Sequence, residues 1–195
     1  MRLTVLPRGD VWSVLQVKGL ERLGAPYRFE MLLAEGPAPS PLGHAALLEF
    51  HGARRHGVVT AWGWREGGRR LAVLSPRLEA LDRAAHRRVH VEAAMPGLLA
   101  RLLRQAGYRD AEFRFPPGLP PPPRTQIRQA AGSDLDHFHR LCAETGLTYR
   151  FDQGPDGEEV AFLEAGSPSR PGAPLRRGSR PTPLEPGASR EPPWP

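Results

Sequence analysis

The sequence predicts a mainly β protein: a small antiparallel β-barrel, then a compact α+β domain, then a disordered C-terminal tail. Three observations carry this expectation. Residues 3 to 76 hold short apolar and β-branched runs bounded by glycine and proline clusters, with no helical crossover between them. Residues 93 to 164 change to helical spacing interleaved with short strands. After Ala165 the chain reads GSPSRPGAPLRRGSRPTPLEPGASREPPWP, too poor in apolar side chains to offset the entropy of ordering it. The expected domain bounds are therefore 1–92, 93–164 and 165–195.

Leu3 to Leu6 and Val11 to Val17 flank the turn residues Pro7-Arg8-Gly9-Asp10 and predict a hairpin. In its second strand Val11, Ser13 and Leu15 alternate with Trp12, Val14 and Gln16. Tyr27 to Leu33 is the next strand. A proline-rich break, EGPAPSPLG, precedes AALLEF and RRHGVVTAWGWRE, and a two-residue Gly67-Gly68 turn leads into RRLAVLSP. Strands in succession pair antiparallel, and closing them into a barrel removes exposed edges.

Beyond residue 77, Leu78 and Leu81 predict one helical turn. Pro96, where a first-turn proline loses no backbone hydrogen bond, opens a helix with Leu98, Leu99, Leu102 and Leu103 that ends near Gly107. Residues 111 to 115 read as a short strand and PPGLPPPPR as an extended spacer. Ser133 is placed to cap a second helix by accepting from the amide of Leu135 or Asp136, with Asp134 and Asp136 at the positive end of its dipole. Its apolar stripe is Leu135, Phe138, Leu141 and Cys142. Gly146 supplies the left-handed stop, and LTYRF and GEEVAFLE form a last hairpin around Gly154 to Gly157.

Several function classes are disfavoured by the same residues. One cysteine excludes an internal disulfide framework and a thiolate zinc cage. Pro7, Arg8, Gly9 and Asp10 interrupt the N-terminus before signal-peptide length, and no uncharged apolar run approaches the roughly 20 residues that cross a bilayer. The expected location is cytoplasmic, with export only if an apparatus carries the chain. Lys+Arg exceed Asp+Glu by 27 to 21, but the arginines are scattered, which reads as a solvated surface. A basic nucleic-acid-binding accessory protein is the alternative from another class.

No residue set reads as catalytic, cofactor-binding or metal-ligating. His137 and His139 lie about 200° apart around a helix and cannot share an ion. His86 and His90 are four apart but fall past the expected end of a helix, with no carboxylate at ligand spacing. Cys142 sits on an apolar stripe, where a thiol stays protonated. Asp134 and Asp136 are explained by capping, and Arg124, Arg128 and Arg140 are available to pair with Asp134, Asp136 or Glu144. Trp62 and Trp64 share one strand face: turned inward they fill the barrel, turned outward they form an interface anchor.

The segment RTQIRQAAGSDLDHFHRLCAETGLTYRF, residues 124 to 151, resembles the signature of VgrG proteins, the spikes of type VI secretion. Arg124 and Gln126 match its arginine-led strand, Ser133 and Asp134 its Ser-Asp pair, Phe138, Arg140 and Leu141 its helix, and Gly146 the glycine before an aromatic strand. ERLGAPYRFEMLL, RRHGVVT, LSPRLEAL and MPGLLARLLRQAG resemble further family segments in the same order. Two departures stand out: the glutamine-tyrosine pair is Gln126-Ile127, and Gly132 replaces the glutamate before Ser-Asp. The resemblance implies a homotrimeric hub related to phage tail baseplates, which contacts tube, baseplate or effector proteins and is not an enzyme. A phage or prophage baseplate hub is the close alternative. The family's second barrel, oligonucleotide-fold domain and β-spike have no counterpart after residue 164, so the expectation is a shortened hub without the needle.

Overall fold

The computed structural model describes residues 1–34, 40–65, 68–83, 86, 89–90, 95–118, 127–128 and 132–166. Six strands come first: β1 (Arg2–Val5), β2 (Asp10–Arg22), β3 (Ala25–Leu33), β4 (Ala45–Phe50), β5 (Ala53–Trp64) and β6 (Arg70–Ser75). They form a closed barrel in the order β1-β2-β3-β6-β5-β4, every pair antiparallel. Closure comes from β1, which pairs with β2 through Leu3↔Trp12 and with β4 through Leu3↔Leu48.

Alternation decides which side chains fill the barrel. In β3, Tyr27, Phe29, Met31 and Leu33 are buried while Arg28, Glu30 and Leu32 are only half-buried. Trp12 and Val14 point inward from β2, whereas Val11 and Leu15 face out, as the pattern predicts. The hairpin from β2 to β3 is longer than apolar alternation alone indicates, because β2 runs on past Val17 to Arg22 and β3 begins at Ala25. Cross-strand pairing through Leu20↔Arg28 and Arg22↔Ala25 holds this polar extension, and Gly24 turns it at φ 69°.

The connection from β5 to β6 differs from the two-residue expectation. Trp64 pairs with Arg70, so five residues lie between, and the Arg65 amide donates to the Arg69 carbonyl at 2.8 Å. Gly68 adopts φ 72°, while Gly67 lies outside the described residues.

A 3-10 helix, Arg77–Arg83, leaves the barrel and buries Leu78 and Leu81. It is followed by β7 (Val89–His90), α1 (Met95–Gln105), a 3-10 turn at Asp110–Glu112, β8 (Phe113–Arg114) and β9 (Ile127–Arg128). Then come α2 (Asp134–Glu144), β10 (Leu147–Gln153) and β11 (Glu158–Glu164). The sheet order is β10-β11-β8, with β8 parallel to β11, and β7 pairs with β9 separately. The strand expected at 111–115 is shorter, because the Arg109 amide donates to Glu112 at 2.7 Å and winds residues 110–112 into the 3-10 turn.

Helix α2 begins as its sequence dictates. Ser133 Oγ accepts from the Asp136 amide at 3.1 Å and Asp136 Oδ2 accepts from the Ser133 amide at 3.0 Å, a reciprocal capping box. These hydrogen bonds from Ser133 hold the Asp136 carboxyl below the usual range. Thr145 closes the helix and Gly146 follows at φ 65°. Ser133→Ala is expected to lower unfolding free energy by about 1 kcal/mol, read from urea denaturation.

Two cores result. One fills the barrel; the other packs Leu78 and Leu81 with the inner faces of α1, α2 and the sheet, and Phe151 packs against both. Cys142 belongs to the second core, where burial pushes its thiol up to about 12. A thiol reagent at mildly alkaline pH should therefore label Cys142 only when the protein unfolds; labelling of the native protein at the rate of a free thiol would contradict its placement.

Candidate assembly surface

Three features of the molecule bear on function: the outer face of β2, the rim of the barrel at Trp64, and the buried joint between the two cores. The exposed side of β2 carries apolar side chains among its polar ones. Val11, Leu15 and Leu20 are exposed, the last two at 51% and 52%, and Leu23 extends the stripe into the turn. Strand β1 pairs with β2 only as far as Ser13, so from Leu15 to Arg22 the strand has β3 on one side and no strand neighbour on the other among the described residues. An apolar stripe beside unpaired backbone groups favours association with another chain.

At the rim, the three tryptophans of the barrel split by position. Trp12 is buried, Trp62 is half-buried and meets Trp12 edge to face at 5.1 Å, and Trp64 is 65% exposed. The shared face expected for Trp62 and Trp64 thus has both outcomes at once: Trp62 plugs the end of the barrel core and Trp64 overhangs it. Arg70 lies over all three rings, closest to Trp64 at 3.6 Å.

The joint is built on Glu158, a carboxyl-bearing residue 1% exposed that the sequence gives no reason to single out. Its Oε1 accepts from the Arg77 amide at 2.7 Å and the Tyr108 hydroxyl at 2.6 Å, and its Oε2 is hydrogen-bonded to the Tyr27 hydroxyl. Tyr27 also donates to the His56 carbonyl, and the His56 amide donates to Gln153 Oε1 at 2.8 Å. Arg77 stacks on Tyr108 at 4.1 Å and pairs with Glu112 at 3.1 Å. Burial raises the carboxyl of Glu158 above its ordinary value, and burial is also the largest cause holding both tyrosine hydroxyls well above theirs. Barrel strands β3 and β5 are in this way tied to the 3-10 helix and to β10 and β11. The Gly24 amide adds a further tie, donating to the Tyr149 carbonyl at 2.8 Å.

The structure scatters the signature residues among packing roles. Phe138 and Leu141 are fully buried, and Ser133 and Gly146 bound α2. Arg140 pairs with Glu144 one turn on at 3.6 Å. Asp134, placed by the sequence at the positive end of the α2 dipole, makes tertiary contacts as well. Its carboxylate is buried and accepts from Gln105 Nε2 at 2.5 Å, with His86 Nδ1 at 2.8 Å, so it ties α2 to α1 and to the segment before β7. His86 thereby has the carboxylate partner that sequence spacing did not reveal. Arg124, Gln126 and most of the proline spacer lie outside the described residues, as do residues 167–195 of the tail. Among the described residues no three His, Cys, Asp or Glu side chains are placed to hold a metal ion, and no helix is long and apolar enough to cross a membrane.

A closed six-stranded barrel tied to a small α+β unit defines a hub-type structural module. The chain belongs to the phage tail baseplate hub (GPD) family, whose model matches residues 20–190. Within it the sequence is similar to the type VI secretion spike protein VgrG4b of Pseudomonas aeruginosa, with 30% identity over 160 residues, 77% of this chain and 20% of that protein. Among solved structures, the E. coli c3393 protein, a component of the type VI secretion system, shares the fold. Its TM-score is 0.77 at 24% identity, over 84% of this chain and 49% of that one. The 43 kDa tail protein of prophage MuSo2 from Shewanella oneidensis shares it at TM-score 0.61 and 12% identity, over 83% of this chain and 54% of that one. The chain thus spans a fifth of the spike protein it matches and about half of the structures.

Proposed function

We propose that this chain is a non-enzymatic assembly module of a type VI secretion apparatus, acting through self-association of its barrel and contacts with tube, baseplate or effector proteins. The observation that carries the reading is the family match over residues 20–190, on a barrel whose β2 presents Leu15 and Leu20 beside an unpaired edge. A trimer is the stoichiometry that the VgrG resemblance implies. The polar groups that draw attention by their burial, Glu158, Tyr27, Tyr108 and Asp134, bond to one another or to neighbouring elements, which supports a structural role over a catalytic one.

The similarity to a prophage tail protein favours a second reading, a phage or prophage baseplate hub, which differs in the surrounding machine and not in the physical role. The nucleic-acid alternative is weakened by ion pairing. Arg2, Arg55, Arg77, Arg104, Arg109, Arg114, Arg140 and Arg150 each face a carboxylate, so much of the positive charge is locally answered. A photo-crosslinking residue at Leu20, in cells carrying the secretion genes, should trap a second copy or an apparatus protein. No crosslinked product in those cells would remove the assembly reading.

A further inference from the structure

We propose that the barrel rim formed by Trp64, Arg70, Arg65 and Arg69 is a docking surface for an acidic segment of a partner protein. The inference rests on the assembly reading and deepens it by naming the chemistry of one contact.

Four features of the rim point to a carboxylate-bearing polypeptide. Arg70 makes no ion pair with any described carboxylate, in contrast to the eight paired arginines above, and its Nε is buried without a hydrogen-bond partner. Its guanidinium carbon lies 3.6 Å from the Trp64 ring centroid and 5.2 Å from that of Trp62, so the two rings position it before any partner arrives. Arg65 and Arg69 are exposed on either side of the same loop, tied together by the Arg65 amide and the Arg69 carbonyl. The segment from Trp64 to Arg70 carries three arginines against one glutamate. A pre-oriented guanidinium recognises a carboxylate by paired hydrogen bonds, and tryptophan with arginine is the pairing that dominates interface hot spots.

The geometry favours protein over nucleic acid. Non-specific binding of single strands relies on successive aromatic faces along a basic groove. Here Trp12 is buried, Trp62 is half-buried, and one face of Trp64 is covered by Arg70, so no row of open rings exists. An acidic segment with one apolar side chain fits better: carboxylates on the arginines, the apolar group on the remaining surface of Trp64.

The test uses the full chain and a fluorescein-labelled peptide of alternating glutamate and phenylalanine, read by anisotropy at low and moderate salt. Trp64→Ala and Arg70→Glu are each expected to weaken binding about 10-fold or more. Arg101→Glu, which makes the same charge change at an exposed site on α1, should weaken it far less. Thermal unfolding of each variant distinguishes lost contact from lost fold, and light scattering follows self-association separately. Loss of peptide binding with oligomer size unchanged supports the docking surface, and retained binding by a monomeric chain would sustain it while removing the self-association reading. Equal weakening by Arg101→Glu and Arg70→Glu would overturn the proposal, as would tighter binding of a labelled single-stranded oligonucleotide or no binding of the peptide.

Discussion

Glu158→Ala is expected to lower folding stability by about 3–5 kcal/mol, because it leaves the Tyr108 hydroxyl and the Arg77 amide without their buried acceptor. For a chain of this length that corresponds to a fall in Tm on the order of 10 °C. Glu158→Gln is expected to behave differently, and the reason is a count of protons. The single Tyr27 hydroxyl proton faces two acceptors, the His56 carbonyl and Glu158 Oε2. With an ionised carboxylate, only one of those oxygen–oxygen contacts can hold a hydrogen. A neutral carboxyl supplies the second, donating from Oε2 to Tyr27 while Tyr27 donates to His56. Arg77 lies between two carboxyl groups, Glu112 at 3.1 Å and Glu158 at 3.5 Å, and the nearer Glu112 still answers its charge when Glu158 carries a proton. Glutamine reproduces the neutral pattern, so it should cost within about 1 kcal/mol.

The sign of the pH dependence follows. Burial, partly opposed by the hydrogen bonds from Tyr108, Tyr27 and Arg77, leaves the folded carboxyl of Glu158 above its unfolded value. The native state then holds a proton that the unfolded state releases, so this contribution is complete below the ordinary carboxylate range of about 4 and is lost as pH rises through the raised folded value. His56, lowered by burial, and the depressed carboxyls of Glu49, Asp110, Glu112 and Asp136 are common to both proteins and cancel in the difference. Urea denaturation should show wild type losing stability relative to Glu158→Gln as pH increases. A glutamine variant as unstable as the alanine variant, or a slope of opposite sign, would show that Glu158 is ionised in the fold.

The second large effect is expected at Phe138. Its ring is fully buried, meets Tyr149 edge to face at 5.3 Å and Phe162 at 6.0 Å, and so pins α2 to β10 and β11. Phe138→Ala removes those contacts and leaves a cavity in the second core, at a cost of about 3–5 kcal/mol. Phe138→Leu keeps most of the volume and should cost distinctly less. Urea denaturation with an unchanged m-value would confirm that the native packing alone is altered. Equal stability of the alanine variant would mean that α2 is held by other contacts.

Local rules made much of the fold legible. Alternation in β3, the cap at Ser133 and the stop at Gly146 each depend on neighbours a few residues away, and each reads correctly from sequence. The extension of β2 to Arg22 does not, because Lys18 to Arg22 are held by pairing with β3 and not by an apolar pattern of their own. Burial of charge is harder still. Glu158 and Asp134 look like ordinary strand and helix-start residues, and only partners 81, 131 and 48 positions away in the chain explain why they are inside.

Position within the barrel explains the tryptophans. Period-two alternation puts Trp62 and Trp64 on one face, but it carries no information on where the neighbouring strand ends. Trp62 opposes Ala72 and lies against Trp12, while Trp64 opposes Arg70 at the end of the ladder, where Arg70 lies against one face of the ring and the side chain stays 65% exposed. The rim site became visible only with closure of the sheet.

Assembly through the barrel is tested most directly by light scattering of the purified full chain across a range of concentrations. The predicted result is a mass that is a multiple of the 21.5 kDa subunit and that falls to one subunit when Leu15 and Leu20 are both replaced by glutamate. A wild-type chain that remains a 21.5 kDa monomer at every concentration would contradict it.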